Sequence, residues 1–123
     1  TTIIYLVGSP FPTNKGLNDK VWALVDTDFN TQERGIYEIF QTPEREDMRN
    51  SPTSVALDTI NNWLYITEWS ITWVCKDNNG MNIHEQVMTG GVLTNCIVAW
   101  DNSENYYQHH GWHYTAMNPN DNK

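Results

Sequence analysis

Residues 54–89, SVALDTINNWLYITEWSITWVCKDNNGMNIHEQVMT, decide the fold class of this chain. Short runs of β-branched and aromatic residues alternate here with turn-forming residues, a pattern typical of antiparallel strands. Turn signals stand at residues 59–62 and at residues 77–80, where Asp-Asn-Asn-Gly is typical of a hairpin. The stretch therefore predicts four short β-strands, the last of which contains Ile83 and Glu85.

Both halves of this stretch recur elsewhere in the sequence. Residues 55–74 align without a gap on residues 98–117, with Val, Ala, Asp, Asn, Trp and Thr at matching positions. The second half, a W-x-x-x-D followed by I-x-E-x-x-x-T, recurs upstream. Its matched pairs are Trp22 and Trp73, Asp26 and Asp77, Ile36 and Ile83, Glu38 and Glu85, and Thr42 and Thr89. Repeats of about 40 to 50 residues are typical of β-propeller blades.

The rest of the chain predicts more strands and almost no helix. Residues 1–7 read as one strand, residues 21–25 and 36–41 as a hairpin, and residues 95–100 and 106–117 as further strands. Thr42 and Pro43 followed by acidic residues predict one or two helical turns over residues 43–49. We therefore expect a single all-β domain spanning residues 1–123.

The central stretch resembles two propeller families. Residues 54–69 resemble the strand–turn–strand signature of YWTD-type blades, with Ile66 and Glu68 where that motif has Trp and Asp. Residues 73–86 resemble the hairpin of fucose-binding lectin propellers, although Thr72 and Trp73 stand where those lectins have an arginine. The resemblance implies blade-like repeats and a sugar site in which Glu85 is the acidic partner. About two and a half repeats cannot close a propeller of at least four blades, so several copies would complete a ring. The alternative is a β-sandwich or a small β-barrel.

Strand alternation sorts the central stretch into two faces. Trp63, Tyr65, Thr67 and Trp69 share one face, and Leu64, Ile66 and Glu68 share the other. In the matching segment of the repeat, residues 106–112, His110 and Trp112 lie on the first face. Aromatic rings beside polar side chains suit a carbohydrate, which stacks its C–H face on a ring and needs no opposite charge. The predicted ligand-binding residues are Trp69, Trp112, Glu85, Glu68, His110 and Tyr65.

Charge and cysteine content limit the partners. Fifteen acidic and seven basic residues give a net charge of −8, which argues against binding to nucleic-acid phosphates or to an anionic membrane. No apolar run is long enough for membrane insertion. Cys75 and Cys96 are either a disulfide, as in secreted proteins, or two reduced buried residues. The sequence is therefore compatible with a secreted and with a cytoplasmic protein.

The sequence holds no specific catalytic or metal motif, so we expect neither enzymatic activity nor a cofactor. His109 and His113 would lie about 13 Å apart on a strand, too far for one ion. The spacing of Asp26, Asp28 and Asn30 matches the start of an EF-hand calcium loop, but Thr31 stands where that loop has Gly. Asp58 and Asp101 follow strands, where Asp commonly caps its own backbone.

The predicted function is that of a non-catalytic, lectin-like protein that binds glycans as a homo-oligomer. One alternative is an interaction or structural module, which would show a large flat apolar patch. The other is a small β-barrel enzyme or small-molecule carrier, which would show one deep central cavity.

Overall fold

The structure, a computed structural model, describes residues 2–8, 20–26, 34–43, 52–68 and 71–101. These residues form seven strands and one short helix, which confirms the predicted all-β class. In chain order they are β1 (Thr2–Gly8), β2 (Lys20–Asp26), β3 (Arg34–Gln41), β4 (Ser54–Asp58), β5 (Trp63–Thr67), β6 (Ile71–Cys75), α1 (Ile83–Met88) and β7 (Cys96–Asp101). The helical turns predicted over residues 43–49 and the strands predicted within residues 106–117 lie outside the described residues.

The first sheet has three antiparallel strands in the order β1-β2-β3. Its register places Ile4 opposite Leu24 and Leu24 opposite Ile36. An irregularity between Val21 and Trp22 shifts the pairing of β2 with β3. The predicted strand at the start of the chain and the hairpin that follows are both present.

The second sheet has four antiparallel strands in the order β4-β5-β6-β7. The predicted turn at residues 59–62 joins β4 to β5 and contains Asn62 at a positive φ of 57°. Asn is one of the residues that adopt this left-handed conformation most readily. Each strand thus pairs with its neighbour in sequence, and neither sheet closes on itself among the described strands. They do not form the small barrel that was one alternative.

The two sheets enclose one hydrophobic core. Val21, Ala23 and Ile39 from the first sheet and Leu64 and Ile66 from the second are buried in the same cluster. The rings of Phe40 and Trp73 meet across the sheets with centroids 5.8 Å apart. Because both sheets contribute their inner faces to this core, their outer faces point away from each other.

The segment predicted as the last strand of the central stretch is a helix instead. α1 begins after Asn82, whose side-chain oxygen accepts the backbone N–H of Glu85 at 2.9 Å. Ile83 and Val87, four residues apart on one side of the helix, are fully buried in the core. An N-cap and a buried apolar pair explain the helix, so the strand prediction was wrong here.

The helix also overturns half of the internal repeat. The upstream match paired Ile36 with Ile83 and Glu38 with Glu85, but Ile36 and Glu38 lie in β3 whereas Ile83 and Glu85 lie in α1. The two segments are therefore not equivalent. The other match, of residues 55–74 with residues 98–117, extends beyond the described residues.

A disulfide joins the ends of the segment that contains α1. Cys75 at the end of β6 is bonded to Cys96 at the start of β7, directly opposite it in the register. Within this segment, the Gln86 amide donates to the carbonyls of Lys76 and Met81, at 3.1 and 2.9 Å. The structure thus selects the disulfide from the two cysteine states that the sequence left open.

α1 has six residues, and no helix in the described ranges is long and apolar enough to span a membrane.

Candidate functional site

The candidate site is the outer face of the four-stranded sheet. The alternation of β5 places Leu64 and Ile66 in the core and Tyr65 on the opposite side, as the sequence predicted. We use "outer face" for the residues that the register aligns with Tyr65 and Thr67. They are Ala56, Val74 and Ile97 in the Tyr65 row, and Ser54, Thr72 and Trp100 in the Thr67 row. None of them belongs to the core cluster between the sheets, but Ala56, Val74 and Thr67 are buried, so the exposed part of this face is at β7, with Ile97 and Trp100.

Trp100 is the most exposed aromatic side chain of this face, with 45% of its surface accessible. It lies opposite Thr72 in the register. The Thr72 hydroxyl is 3.3 Å from that of Thr67 on the neighbouring strand. An accessible indole thus lies beside the half-buried Thr72, whose hydroxyl contacts that of the buried Thr67. An apolar ring next to a hydroxyl is a combination of surfaces that a sugar uses.

Sequence reasoning did not select Trp100. Strict alternation along β7 would place Trp100 on the same side as Val98, which lies opposite the core-facing Trp73. The pairing shifts by one residue between Thr72 and Trp73, so Ala99 is the extra residue of a bulge. The bulge brings Trp100 onto the outer face, and no pattern in the sequence marks its position.

Trp63 pairs with Asp58 at one end of the four-stranded sheet, and both side chains contact residues that are near them in the fold. The Lys76 ammonium lies 4.4 Å from the centroid of the Trp63 ring, so one side of the indole is covered by a cation–π contact. Asp58 accepts the backbone N–H groups of Ile60 and Asn61 at 2.9 and 3.1 Å. This confirms that Asp58 caps its own turn.

Tyr65 and Glu68, both predicted to bind ligand, lie in different environments. Tyr65 is half-buried on the outer face. Glu68 is buried, and its Oε1 accepts the indole N–H of Trp73 at 3.0 Å. The Glu68 carboxyl therefore helps to position an aromatic ring of the interior.

Glu85 is exposed on the first turn of α1, not on a strand beside Tyr65. Because Ile83 and Val87 anchor α1 in the core cluster, the helix lies on the inner side of the four-stranded sheet. The structure thus brings Tyr65 and Trp100 to one face and separates Glu85 and Glu68 from it.

The other predicted ligand-binding residues, Trp69, Trp112 and His110, lie outside the described residues. So do His109 and His113, together with Asp28 and Asn30 of the calcium-like stretch. In the part of the chain that the structure describes, no three His, Cys, Asp or Glu side chains come together as ligands for a metal ion.

Similarity to known proteins gives no independent indication of what this face binds. Comparisons with protein-family models, with curated proteins and with solved structures found no match to this chain.

Proposed function

We propose that this chain is a non-catalytic carbohydrate-binding protein, lectin-like in its chemistry, and that a sugar ring stacks on Trp100 at the outer face. The observation that carries the proposal is the exposed Trp100 indole on a sheet face outside the core. Most aromatic side chains of a β protein serve the core, whereas this ring presents apolar surface to solvent.

The neighbouring groups suit an uncharged ligand. The C–H face of a pyranose stacks on an indole, and the Thr72 hydroxyl is both a donor and an acceptor for a sugar hydroxyl. No opposite charge is needed, which fits a chain whose net charge is −8. A single stacked ring supplies little free energy, so we expect monovalent dissociation constants of about 0.1 to 1 mM.

A glycan array followed by titration of the free sugar tests the proposal. Trp100→Ala removes the stacking surface and should abolish glycan binding, whereas Trp100→Phe keeps an aromatic ring and should retain part of it. Tyr37→Ala is the matched control, because Tyr37 is an aromatic residue of similar exposure, 41%, in the first sheet. A folded Trp100→Ala variant that binds every glycan as the parent does would contradict the proposal.

The residues predicted from sequence remain part of this proposal. Tyr65 lies in the row next to Trp100 and would extend the aromatic surface. Trp69, Trp112 and His110 stay predicted ligand-binding residues on sequence grounds. Glu85 and Glu68 are weaker candidates, since one lies on α1 and the other is buried.

A second candidate function is that of a protein-interaction module. It is favoured by the outer side of the three-stranded sheet, where several apolar side chains are exposed, among them Ile4, Leu6 and Ile36. This is the flat apolar patch expected for such a module. Pull-down with a defined partner tests it.

We also propose that the two sheets are blade-like units. Both are meanders whose strands pair in chain order, and their inner faces pack on each other as neighbouring blades do. The helix between β6 and β7 is an insertion relative to the three-stranded sheet. An experimental structure in which β1–β3 and β5–β7 fail to superpose as three-stranded units would contradict this relation.

A further inference from the structure

The side of the three-stranded sheet that faces away from the core is apolar across all three strands. We name it the apolar face, formed by Ile4, Leu6, Trp22, Leu24 and Ile36. Three of these side chains are strongly exposed: Ile4 at 48%, Leu6 at 43% and Ile36 at 65%. Their neighbours along the strands, such as Tyr5 and Ala23, face the core. The first sheet thus has apolar side chains on both faces.

The area of this face is that of an interaction surface. Three strands of seven or eight residues cover roughly 14 by 24 Å, or about 340 Å². Exposed apolar patches of a few hundred Å² on soluble proteins commonly mark contact sites. The footprint is smaller than the roughly 800 Å² per partner of a standard stable interface, so the contact that it supports is a weak one.

The described charges of the apolar face balance, although those of the whole chain do not. Lys20 and Glu38 lie at its margin and form an ion pair with 2.9 Å between Nζ and Oε2. The Lys20 ammonium also lies 5.6 Å from the Trp22 ring centroid. Among the charged side chains that the structure describes on this face, the sum is zero, in a chain of net charge −8.

We propose that the apolar face packs against the same face of a second copy of this chain, related to the first by a twofold axis. In such an interface the patch of one copy contacts the same patch of the other copy, so the charges of the patch must be self-complementary. An adjacent Lys20 and Glu38 meet that condition, because the twofold axis can place Lys20 of one copy opposite Glu38 of the other. Two sheet faces pack about 10 Å apart with interdigitated side chains, which flat rows such as Ile4, Leu24 and Ile36 permit.

The choice of a second copy over a foreign partner rests on this balance of charge. Among the side chains that the structure describes on this face, a strongly basic partner would find no excess negative charge and a strongly acidic partner no excess positive charge, whereas a second copy brings the same balanced, self-complementary pair. Two copies repel each other through their net charges at low salt. Added salt screens that repulsion, with a Debye length of about 10 Å at 0.1 M. Self-association should therefore strengthen with salt, whereas docking of a basic partner would weaken.

Sedimentation velocity of the full chain over a range of concentrations tests the proposal. We expect a reversible monomer–dimer equilibrium with a dissociation constant between about 10 and 100 µM, in keeping with the small footprint. The dimer fraction should rise with salt. A protein that stays monomeric at about 0.5 mM in high salt would overturn the proposal. So would a closed assembly of three or more copies, because a twofold contact cannot produce one.

Charge placed on the apolar face should abolish the dimer. Ile36→Lys buries an ammonium group in the proposed interface, and Ile36 is so exposed that the monomer should still fold. Ile60→Lys is the matched control, since Ile60 is 72% exposed in the turn between β4 and β5, away from this face. We expect at least a tenfold weaker dimer for Ile36→Lys and an unchanged one for Ile60→Lys. Equal dimerisation of the two variants would overturn the proposal.

The ion pair gives a second test that does not depend on Ile36. Lys20→Glu places two acidic side chains side by side on each copy and should weaken the dimer. Lys20→Glu combined with Glu38→Lys restores a balanced, self-complementary face and should restore the dimer. If the combined variant dimerises no better than Lys20→Glu alone, charge balance does not select the partner and the proposal is wrong.

Discussion

Tyr5 makes the stability of the domain sensitive to alkaline pH. Its ring packs against the core from β1, and burial raises the pKa of its phenol above the ordinary 10.0. Because the folded state holds the proton more tightly than the unfolded chain, the stabilisation is complete below about pH 10. It is lost as the pH rises through the folded-state pKa.

The Tyr5→Phe variant should therefore lose less stability than the parent between about pH 9 and pH 11. Urea unfolding at several pH values measures the free energy of unfolding of both proteins. The difference between them removes the contribution of other titrating groups, such as lysines. A difference that stays constant over this range would show that ionisation of Tyr5 is not coupled to unfolding.

Single residues also explain what sequence reasoning missed at the site. The sequence predicted correctly that Leu64 and Ile66 lie on the opposite face from Tyr65, because alternation along a regular strand is strict. The direction of the Trp100 side chain could not be predicted from the sequence, because it depends on one extra residue, Ala99, in the pairing of β7 with β6. Bulges are set by pairing with the partner strand, which a single segment does not contain.

Among the elements, α1 depends on its N-cap. Asn82 satisfies the Glu85 backbone N–H at the start of a helix of six residues, which has few hydrogen bonds of its own. Asn82→Ala should reduce the free energy of unfolding by about 1 kcal/mol. Asn82→Asp keeps a side-chain acceptor and should remain close to the parent. Thermal and urea unfolding measure both, and equal loss in the two variants would show that the cap is not what matters.

The helix itself carried a signal in the sequence. Asn82 and Glu85 have the spacing of a capping box, and Ile83 and Val87 have the spacing of a buried helical pair. The strand prediction rested on the I-x-E match to residues 36–38 and did not take these local signals into account. By contrast, the pairing of Cys75 with Cys96 depends on β6 and β7 being neighbours, which the sequence does not determine.

The disulfide should stabilise the four-stranded sheet by holding β7 to β6. In the chain-entropy model, a closed loop of about 20 residues contributes roughly 3 kcal/mol. Cys75→Ala combined with Cys96→Ala should lower the free energy of unfolding by about that amount. Reductant should move the parent toward the same urea midpoint and leave the double variant unchanged. A parent whose midpoint ignores reductant under conditions that open the disulfide would contradict this role.

At the scale of the whole molecule, the first two strands carried a sign of the apolar face. Residues 3–7, IIYLV, and residues 21–25, VWALV, are apolar on both sides of the strand. Continuous apolar runs are typical of strands covered on both faces. These runs identify the strands, but a run by itself does not show what covers the second face. In the structure the core covers one face, and the other has Ile4 and Leu6 exposed on β1 and Trp22 and Leu24 half-buried on β2.

The two proposals together predict a bivalent molecule. The outer faces of the two sheets point away from each other, so a dimer formed through the apolar face leaves Trp100 of each copy accessible at opposite ends. One binding event then raises the effective concentration for the second, and avidity can exceed the single-site affinity by about 10² to 10⁴. The dimer should therefore bind a glycan-coated surface or cross-link glycan-coated vesicles far better than a monomer does.

Ile36→Lys separates avidity from affinity. This variant should bind a free monovalent sugar as tightly as the parent, because Trp100 lies on the other sheet, and should lose most of its binding to a dense glycan surface. Trp100→Ala should lose both kinds of binding and still dimerise, which sedimentation velocity would show. If Ile36→Lys kept the full surface avidity of the parent while monomeric, multivalency would not arise from the apolar face. A loss of free-sugar binding in the folded Ile36→Lys protein would instead mean that the two faces do not act independently.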